Sequence, residues 1–65
     1  MKIKEREFMI AMARKMMNMG EVADRSDVSR QTLSYIKNGK RCKADLAGRI
    51  ANTLDVDVTE IFDID

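Results

Sequence analysis

Residues 22–39 read VADRSDVSRQTLSYIKNG, and two short helical patterns meet within them at a tight turn. An apolar face begins at Val22 and continues into the second segment, where Leu33 and Ile36 lie three residues apart. The second segment is therefore expected to bury one stripe and to leave the other face free. That free face carries no acid, and its side chains can read base edges or bind phosphate: Arg30, Gln31, Ser34 and Tyr35.

Signals for the start and the end of a helix flank this second segment. Ser29 can accept a hydrogen bond from the amide of Thr32 or a nearby residue at a helix start. Asn38 and Gly39 can supply the left-handed ending that glycine adopts at little steric cost. We therefore predict a helix over residues 29–38.

The rest of the chain predicts four more helices. The first starts at Glu5, after a basic tip (residues 1–4) that is expected to fray, and its methionines are expected to fill the core. Asn18 is expected to cap the second, over 19–26, and Asp57 or Thr59 a short fifth helix that ends near Phe62. The apolar stripes predicted for the first helix and for the fourth, over 43–54, are Phe8, Met9, Met12, Ala13 and Met16, and Leu46, Ala47, Ile50, Ala51 and Leu54.

These patterns resemble the helix-turn-helix of the Cro and phage-repressor (XRE-like) family. The segment LAGRIANTLDVDVTEIF over 46–62 is also similar to the last two helices of that family. The resemblance implies an all-α, compact five-helix fold of the lambda-repressor type, with one DNA-binding domain over residues 1–65. The residues that carry the helix-turn-helix likeness are Val22, Ala23, Val28, Ser29, Leu33, Ile36, Asn38 and Gly39.

The distribution of charge favours a nucleic-acid partner, although the net charge of +1 alone does not. Residues 29–43 hold five bases and no acid, whereas residues 44–65 hold one base and six acids. A positive electrostatic field concentrated on one stretch, here residues 29–43, is expected of a face that binds duplex DNA. For any single lysine, an ordinary solvated surface is the commoner explanation.

The resemblance also implies a role for each polar residue of this region. Arg30, Gln31 and Tyr35 occupy base-facing positions, where arginine can bond guanine, glutamine can bond adenine and a tyrosine ring can contact a thymine methyl group or reach a phosphate. Two asparagines match phosphate-binding positions, and several neighbours are expected to join them in contacting the DNA backbone. The whole backbone set is Asn18, Ser29, Thr32, Ser34, Lys37, Asn38, Lys40, Arg41 and Lys43.

Four positions depart from the family pattern. Asp27 replaces a glycine that needs a positive φ, a conformation that aspartate tolerates better than most residues. Met19 replaces a glutamine, so a phosphate contact is expected to be missing. Lys37 and Met12 replace a glutamate and its arginine partner on helix one, which implies that this ion pair is lost as a unit and that Lys37 adds to the phosphate-facing charge.

The residue inventory argues against catalysis and against a metal, a cofactor or a small-molecule ligand. The chain has no histidine and one cysteine, which excludes histidine-based acid–base chemistry and the cysteine clusters of zinc sites. The string DVDVT over 55–59 matches the short acidic motif of aspartyl-phosphate hydrolases. Helix capping explains both aspartates more simply.

Cys42 lies between Arg41 and Lys43, which could lower the pKa of its thiol and make a redox switch conceivable. An incidental cysteine is the commoner case. The sequence shows neither a cleavable apolar leader nor an apolar run of about 18 residues. We therefore expect a cytoplasmic protein with no membrane segment.

The leading interpretation is sequence-specific binding of double-stranded DNA by a small bacterial or phage transcriptional regulator. A homodimer is expected because one short recognition helix in the major groove reads few base pairs. Apolar residues near the end of the chain are predicted to form the dimer contacts: Val58, Ile61, Phe62 and Ile64. The alternative is a protein-binding module on the same scaffold, of the antitoxin or anti-repressor type.

Overall fold

The computed structural model describes residues 1–64, which form five helices and one small strand pair. The helices are α1 (Glu5–Arg14), α2 (Met19–Ser26), α3 (Arg30–Lys37), α4 (Ala44–Thr53) and α5 (Val58–Ile61). The strands β1 (Lys2–Ile3) and β2 (Phe62–Asp63) pair antiparallel. The predicted all-α, five-helix fold is confirmed. Within the described residues, no helix is both long enough and apolar enough to cross a membrane.

The core lies where the helices meet. Helix α2 packs against α3 and α4, while α5 packs against α1 and α4. Phe8, Leu33 and Ile50, from three different helices, have no exposed surface, and Ile36 is 2% exposed. Burial of Leu33 and Ile36 confirms the predicted inward face of α3, so the polar face of this helix is free.

The buried face of α1 differs from the predicted one. Phe8, Ala11 and Met12 are buried, whereas Met9 is 49% and Met16 88% exposed. The prediction that the methionines of this helix fill the core is therefore wrong, except for Met12. At 3.6 residues per turn, positions 9 and 13 lie roughly 100° or more away from the direction of Phe8. Residue 16 lies beyond the end of the helix altogether.

Helices α1 to α4 all end in the same hydrogen-bonded motif. After α3, the amide of Gly39 donates to the carbonyl of Ile36 and the amide of Lys40 to that of Tyr35, both at 3.0 Å. This is the Schellman pattern, in which the residue after the cap has a positive φ. The residues with this positive φ are Met16 after α1 (φ 53°), Asp27 after α2 (φ 58°), Gly39 after α3 (φ 107°) and Asp55 after α4 (φ 56°). The predicted left-handed conformation of Asp27 is thus confirmed.

Met16 is the least suited of these four residues to a positive φ, and this yields a stability prediction. Its side chain is 88% exposed, so glycine at this position would sacrifice little packing. We expect Met16→Gly to raise the free energy of unfolding by about 1 kcal/mol, because glycine adopts this conformation without the steric cost of a Cβ atom. Met16→Ala keeps the Cβ atom and is the control in urea denaturation. An equal gain from both variants would contradict the backbone explanation.

The first four residues were predicted to fray, but in the structure they are held by pairing with other parts of the chain. Strand β1 pairs with β2 in the register Lys2↔Asp63 and Ile3↔Phe62, and Ile3 is buried. The Met1 amino group donates to the carbonyl of Cys42 at 3.1 Å, and the Cys42 amide donates to the carbonyl of Met1 at 2.8 Å. A strand of two residues leaves no periodic pattern in a sequence, so no sequence signal indicated this pairing.

Two of the four residues predicted as dimer contacts lie in the core of the monomer. Ile61 and Phe62 are each 1% exposed, since α5 packs on α1 and α4 and β2 pairs with β1. The premise that they belong to an exposed apolar cluster is therefore wrong. Val58 is half-buried, whereas Ile64 is 61% exposed.

Candidate nucleic-acid interface

The free face of α3 carries the four polar side chains that the sequence placed there. Arg30, Gln31, Ser34 and Tyr35 are all exposed. The helix starts at Ser29, whose Oγ accepts a hydrogen bond from the amide of Thr32 at 3.1 Å. The first turn of α3 holds no acid, so both the helix dipole and the side chains present positive charge at this end.

Gln31 and Tyr35, two of the predicted base-reading residues, are joined to each other. Gln31 Nε2 donates to the hydroxyl oxygen of Tyr35 at 2.9 Å, across one turn of α3. This bond uses one of the two amide protons of Gln31 and none of the lone pairs on its oxygen. The glutamine can therefore still bond adenine through one donor and one acceptor, and the tyrosine holds it in a defined orientation.

Arg30, the third predicted base-reading residue, lies against the start of α2. A Cβ atom on Gly20 would come within 2.9 Å of Arg30 Cζ and 3.0 Å of Nε, so the guanidinium lies where a side chain at position 20 would begin. Arg30 and Gly20 line an open hollow of about 560 Å³ together with Asn18 and Glu21. This contact between α2 and α3 was not predicted from the sequence. The feature that could have indicated the contact is a glycine, Gly20, in the first turn of a predicted helix.

Asn18 lies in the same hollow and caps α2, as predicted. Its side-chain oxygen accepts from the Glu21 amide at 2.8 Å, and Glu21 Oε1 accepts from the Asn18 amide at 3.1 Å. This reciprocal pair is a capping box. It occupies the oxygen of Asn18 but leaves its side-chain NH₂ group, which is the part that can donate to a phosphate.

Ser29 and Thr32 share one hydrogen bond that decides which of them can serve a phosphate. The Ser29 hydroxyl donates to Thr32 Oγ1 at 2.7 Å. Its proton is therefore committed within the protein, whereas the Thr32 hydroxyl keeps its own proton for an acceptor outside. Thr32 is the better donor of the two predicted phosphate contacts.

A second cluster of predicted DNA contacts surrounds a groove of about 320 Å³ between the C-terminal half of α3 and the start of α4. Tyr35 and Thr32 line one side of this groove, and three bases of the following loop, Lys40, Arg41 and Lys43, line the other. The Lys40 ammonium lies 5.3 Å from the centre of the Tyr35 ring, within the range of a cation–π contact. The structure thus brings base-reading and backbone-binding candidates together. Ser34 and Asn38 are also exposed.

Lys37 differs from its predicted role. Its Nζ lies 3.3 Å from Glu5 Oε2, and its side chain is 26% exposed. The family's pair between positions 12 and 37 is absent, as Met12 and Lys37 imply, but Lys37 forms a different ion pair with Glu5, which lies about two turns before position 12 on α1. Lys37 is therefore a weaker candidate for a phosphate contact than the loop lysines.

Cys42 and the DVDVT string have structural explanations. Burial raises the pKa of the Cys42 thiol and outweighs the positive Met1 amino group, so the predicted lowering by its basic neighbours is wrong. Asp57 caps α5 as predicted, and hydrogen bonds from the amide and the hydroxyl of Thr59 hold the pKa of its carboxyl below the usual range. Asp55 lies 3.6 Å from Lys15 Nζ.

Two helices joined by a tight turn at Asp27, the second with a free polar face, define a helix-turn-helix protein. A family model described as Helix-turn-helix matches residues 9–61. The chain belongs to this family, in its XRE-like division that includes Cro and the phage repressors. Its members are DNA-binding transcription regulators, and the family is not one of enzymes. Comparison with curated proteins and with solved structures gives no match.

Proposed function

We propose that this chain binds double-stranded DNA in a sequence-specific manner, with α3 in the major groove, and regulates transcription in the cytoplasm of a bacterial cell. The observation that carries the proposal is the exposed, acid-free face of α3 directly beside the basic loop of Lys40, Arg41 and Lys43. The membership of a DNA-binding family supports it. A helix of this width fits the major groove of B-DNA, where base edges can be distinguished.

Within this proposal, the residues of the interface divide into two sets. Gln31 and Tyr35 read bases from the middle of α3, where their mutual hydrogen bond fixes the amide. Arg30 approaches the duplex from the junction of α2 and α3. Asn18, Thr32 and the loop bases contact the sugar-phosphate backbone and set the register of the helix in the groove.

A direct test is the affinity for duplexes of random sequence at low salt, measured by fluorescence anisotropy. We expect binding that weakens steeply as salt is added, because phosphate contacts release counterions. A protein-binding module with a net charge of +1 would show neither this binding nor retention on heparin. The absence of both would favour the antitoxin or anti-repressor interpretation.

A homodimer on a two-fold related site remains part of the proposal. Of the four predicted dimer contacts, Ile64 is the most exposed, at 61%, while Ile61 and Phe62 are used in the core. We expect Ile64→Ser to weaken association in sedimentation equilibrium without lowering the thermal midpoint. Met16, which is also apolar and exposed, supplies the control variant Met16→Ser. If both variants associate as the parent does, the interface lies elsewhere.

A further inference from the structure

Gly20 and Gly48 are both helical glycines, but their surroundings differ. A Cβ atom built on Gly48, in α4, meets nothing within 4 Å. One built on Gly20, the second residue of α2, collides with the guanidinium of Arg30, the first residue of α3. Gly39 is the only glycine with a positive φ in the described chain, so no backbone requirement explains Gly20.

Glycine inside a helix lowers its stability relative to alanine, and for Gly20, unlike Gly48, a physical reason for the glycine can be sought in its surroundings. The close approach of the Arg30 side chain provides one. Neither of the two ion pairs within residues 1–64 involves Arg30, so no ion pair accounts for the position of its guanidinium. Its position also brings it into the hollow that contains Asn18, a predicted DNA contact.

We propose that Gly20 is a positioning residue for DNA binding: the missing side chain lets the Arg30 guanidinium lie across the start of α2, where it is held ready for the duplex. The inference rests on the proposed function, since it concerns how Arg30 contributes to that binding. An arginine restricted before binding loses less side-chain entropy when it meets DNA. Gly20 therefore acts on affinity without touching the nucleic acid.

The atoms around Gly20 indicate what a side chain at position 20 would displace. The atoms that it would meet are the far end of a flexible arginine and not backbone, so Arg30 moves away while the fold is kept. Gly20→Ala is thus expected to raise the thermal midpoint, by roughly 5 °C, because alanine favours the helix. Gly48→Ala should raise it to a similar extent for the same reason.

The experiment compares the affinities of five proteins for the tightest-binding duplex from a random-sequence selection: the parent, Gly20→Ala, Gly48→Ala, Arg30→Ala and the double variant Gly20→Ala/Arg30→Ala. We expect Gly20→Ala to weaken binding about tenfold, within the range for one good arginine contact. Gly48→Ala should bind as the parent does. In the Arg30→Ala background, Gly20→Ala should have no further effect, because the two residues act as a unit.

Three outcomes would overturn the inference: Gly20→Ala binding as tightly as Gly48→Ala, equal losses from Gly20→Ala with and without Arg30, or parental affinity in Arg30→Ala. A failure of the parent to bind any duplex would instead overturn the proposed function. The contact itself is tested without DNA by the nuclear Overhauser effect between the Gly20 Hα and Arg30 Hδ protons of the free protein. We expect it to be present, and its absence would also overturn the inference.

Discussion

Leu33→Ala is expected to lower the free energy of unfolding by about 2–5 kcal/mol, since it removes a fully buried side chain and leaves a cavity. Leu33 lies on the inward face of α3, the helix that presents the proposed DNA-binding residues. A chain of 65 residues has a small core, and its total stability is not expected to exceed the lower part of the usual range of about 5–15 kcal/mol. One substitution can therefore unfold much of the population at 25 °C.

Thermal and urea denaturation followed by circular dichroism would measure this loss. Ser34→Ala is the matched control, because Ser34 is the next residue of the same helix and is exposed. That variant should retain the stability of the parent or gain slightly from the helix propensity of alanine. A midpoint for Leu33→Ala within a degree or two of the parent would show that α3 does not bury this face.

Gln31→Ala is expected to cost about 1–3 kcal/mol of binding free energy at its preferred base pair, while binding to scrambled duplexes changes much less. The reason is that a base contact is lost, together with the hydrogen bond that orients Tyr35. Lys43→Ala should behave in the opposite way. Its contact would be to phosphate, so all sequences should weaken alike and the slope of log affinity against log salt should fall by about one.

Fluorescence anisotropy on the selected and scrambled duplexes, at several salt concentrations, separates the two effects. Lys43 caps α4 without a side-chain hydrogen bond, so its replacement leaves the helix start intact. Arg14 borders the groove between α1 and α5, away from the proposed interface, and Arg14→Ala controls for the loss of one positive charge. Base-specific loss in Lys43→Ala, or uniform loss in Gln31→Ala, would reverse the assigned roles.

The local elements of this fold were predictable because their signals are local. Ser29 and Asp57 cap helices as expected, and the spacing of Leu33 and Ile36 identified the inward face of α3. The strength of each signal comes from residues within one or two turns of each other. The buried face of α1 was predicted wrongly because its apolar residues cover more than one face. The periodic pattern alone therefore did not distinguish the buried Phe8 and Met12 from the exposed Met9.

Contacts between distant parts of the chain were not predictable from residue patterns. The pairing of β1 with β2 joins residues about 60 positions apart, and the ion pair of Lys37 with Glu5 joins residues 32 apart. The start of the chain is joined to the Cys42 main chain by two hydrogen bonds across 41 positions, and burial raises the pKa of the Cys42 thiol against the expectation from its basic neighbours. The close approach of Arg30 to Gly20 likewise depends on the angle between α2 and α3, which cannot be derived from the spacing of residues in the sequence.

The central claim, that α3 reads the sequence of double-stranded DNA, is tested most directly by selecting bound sequences from a random duplex library. We predict enrichment of one motif, arranged as two related half-sites if the protein binds as a dimer. The same selection with Gln31→Ala should lose information at a base pair within that motif and keep the rest. Recovery of sequences no different from the starting library, with the parent protein folded and at low salt, would contradict the account.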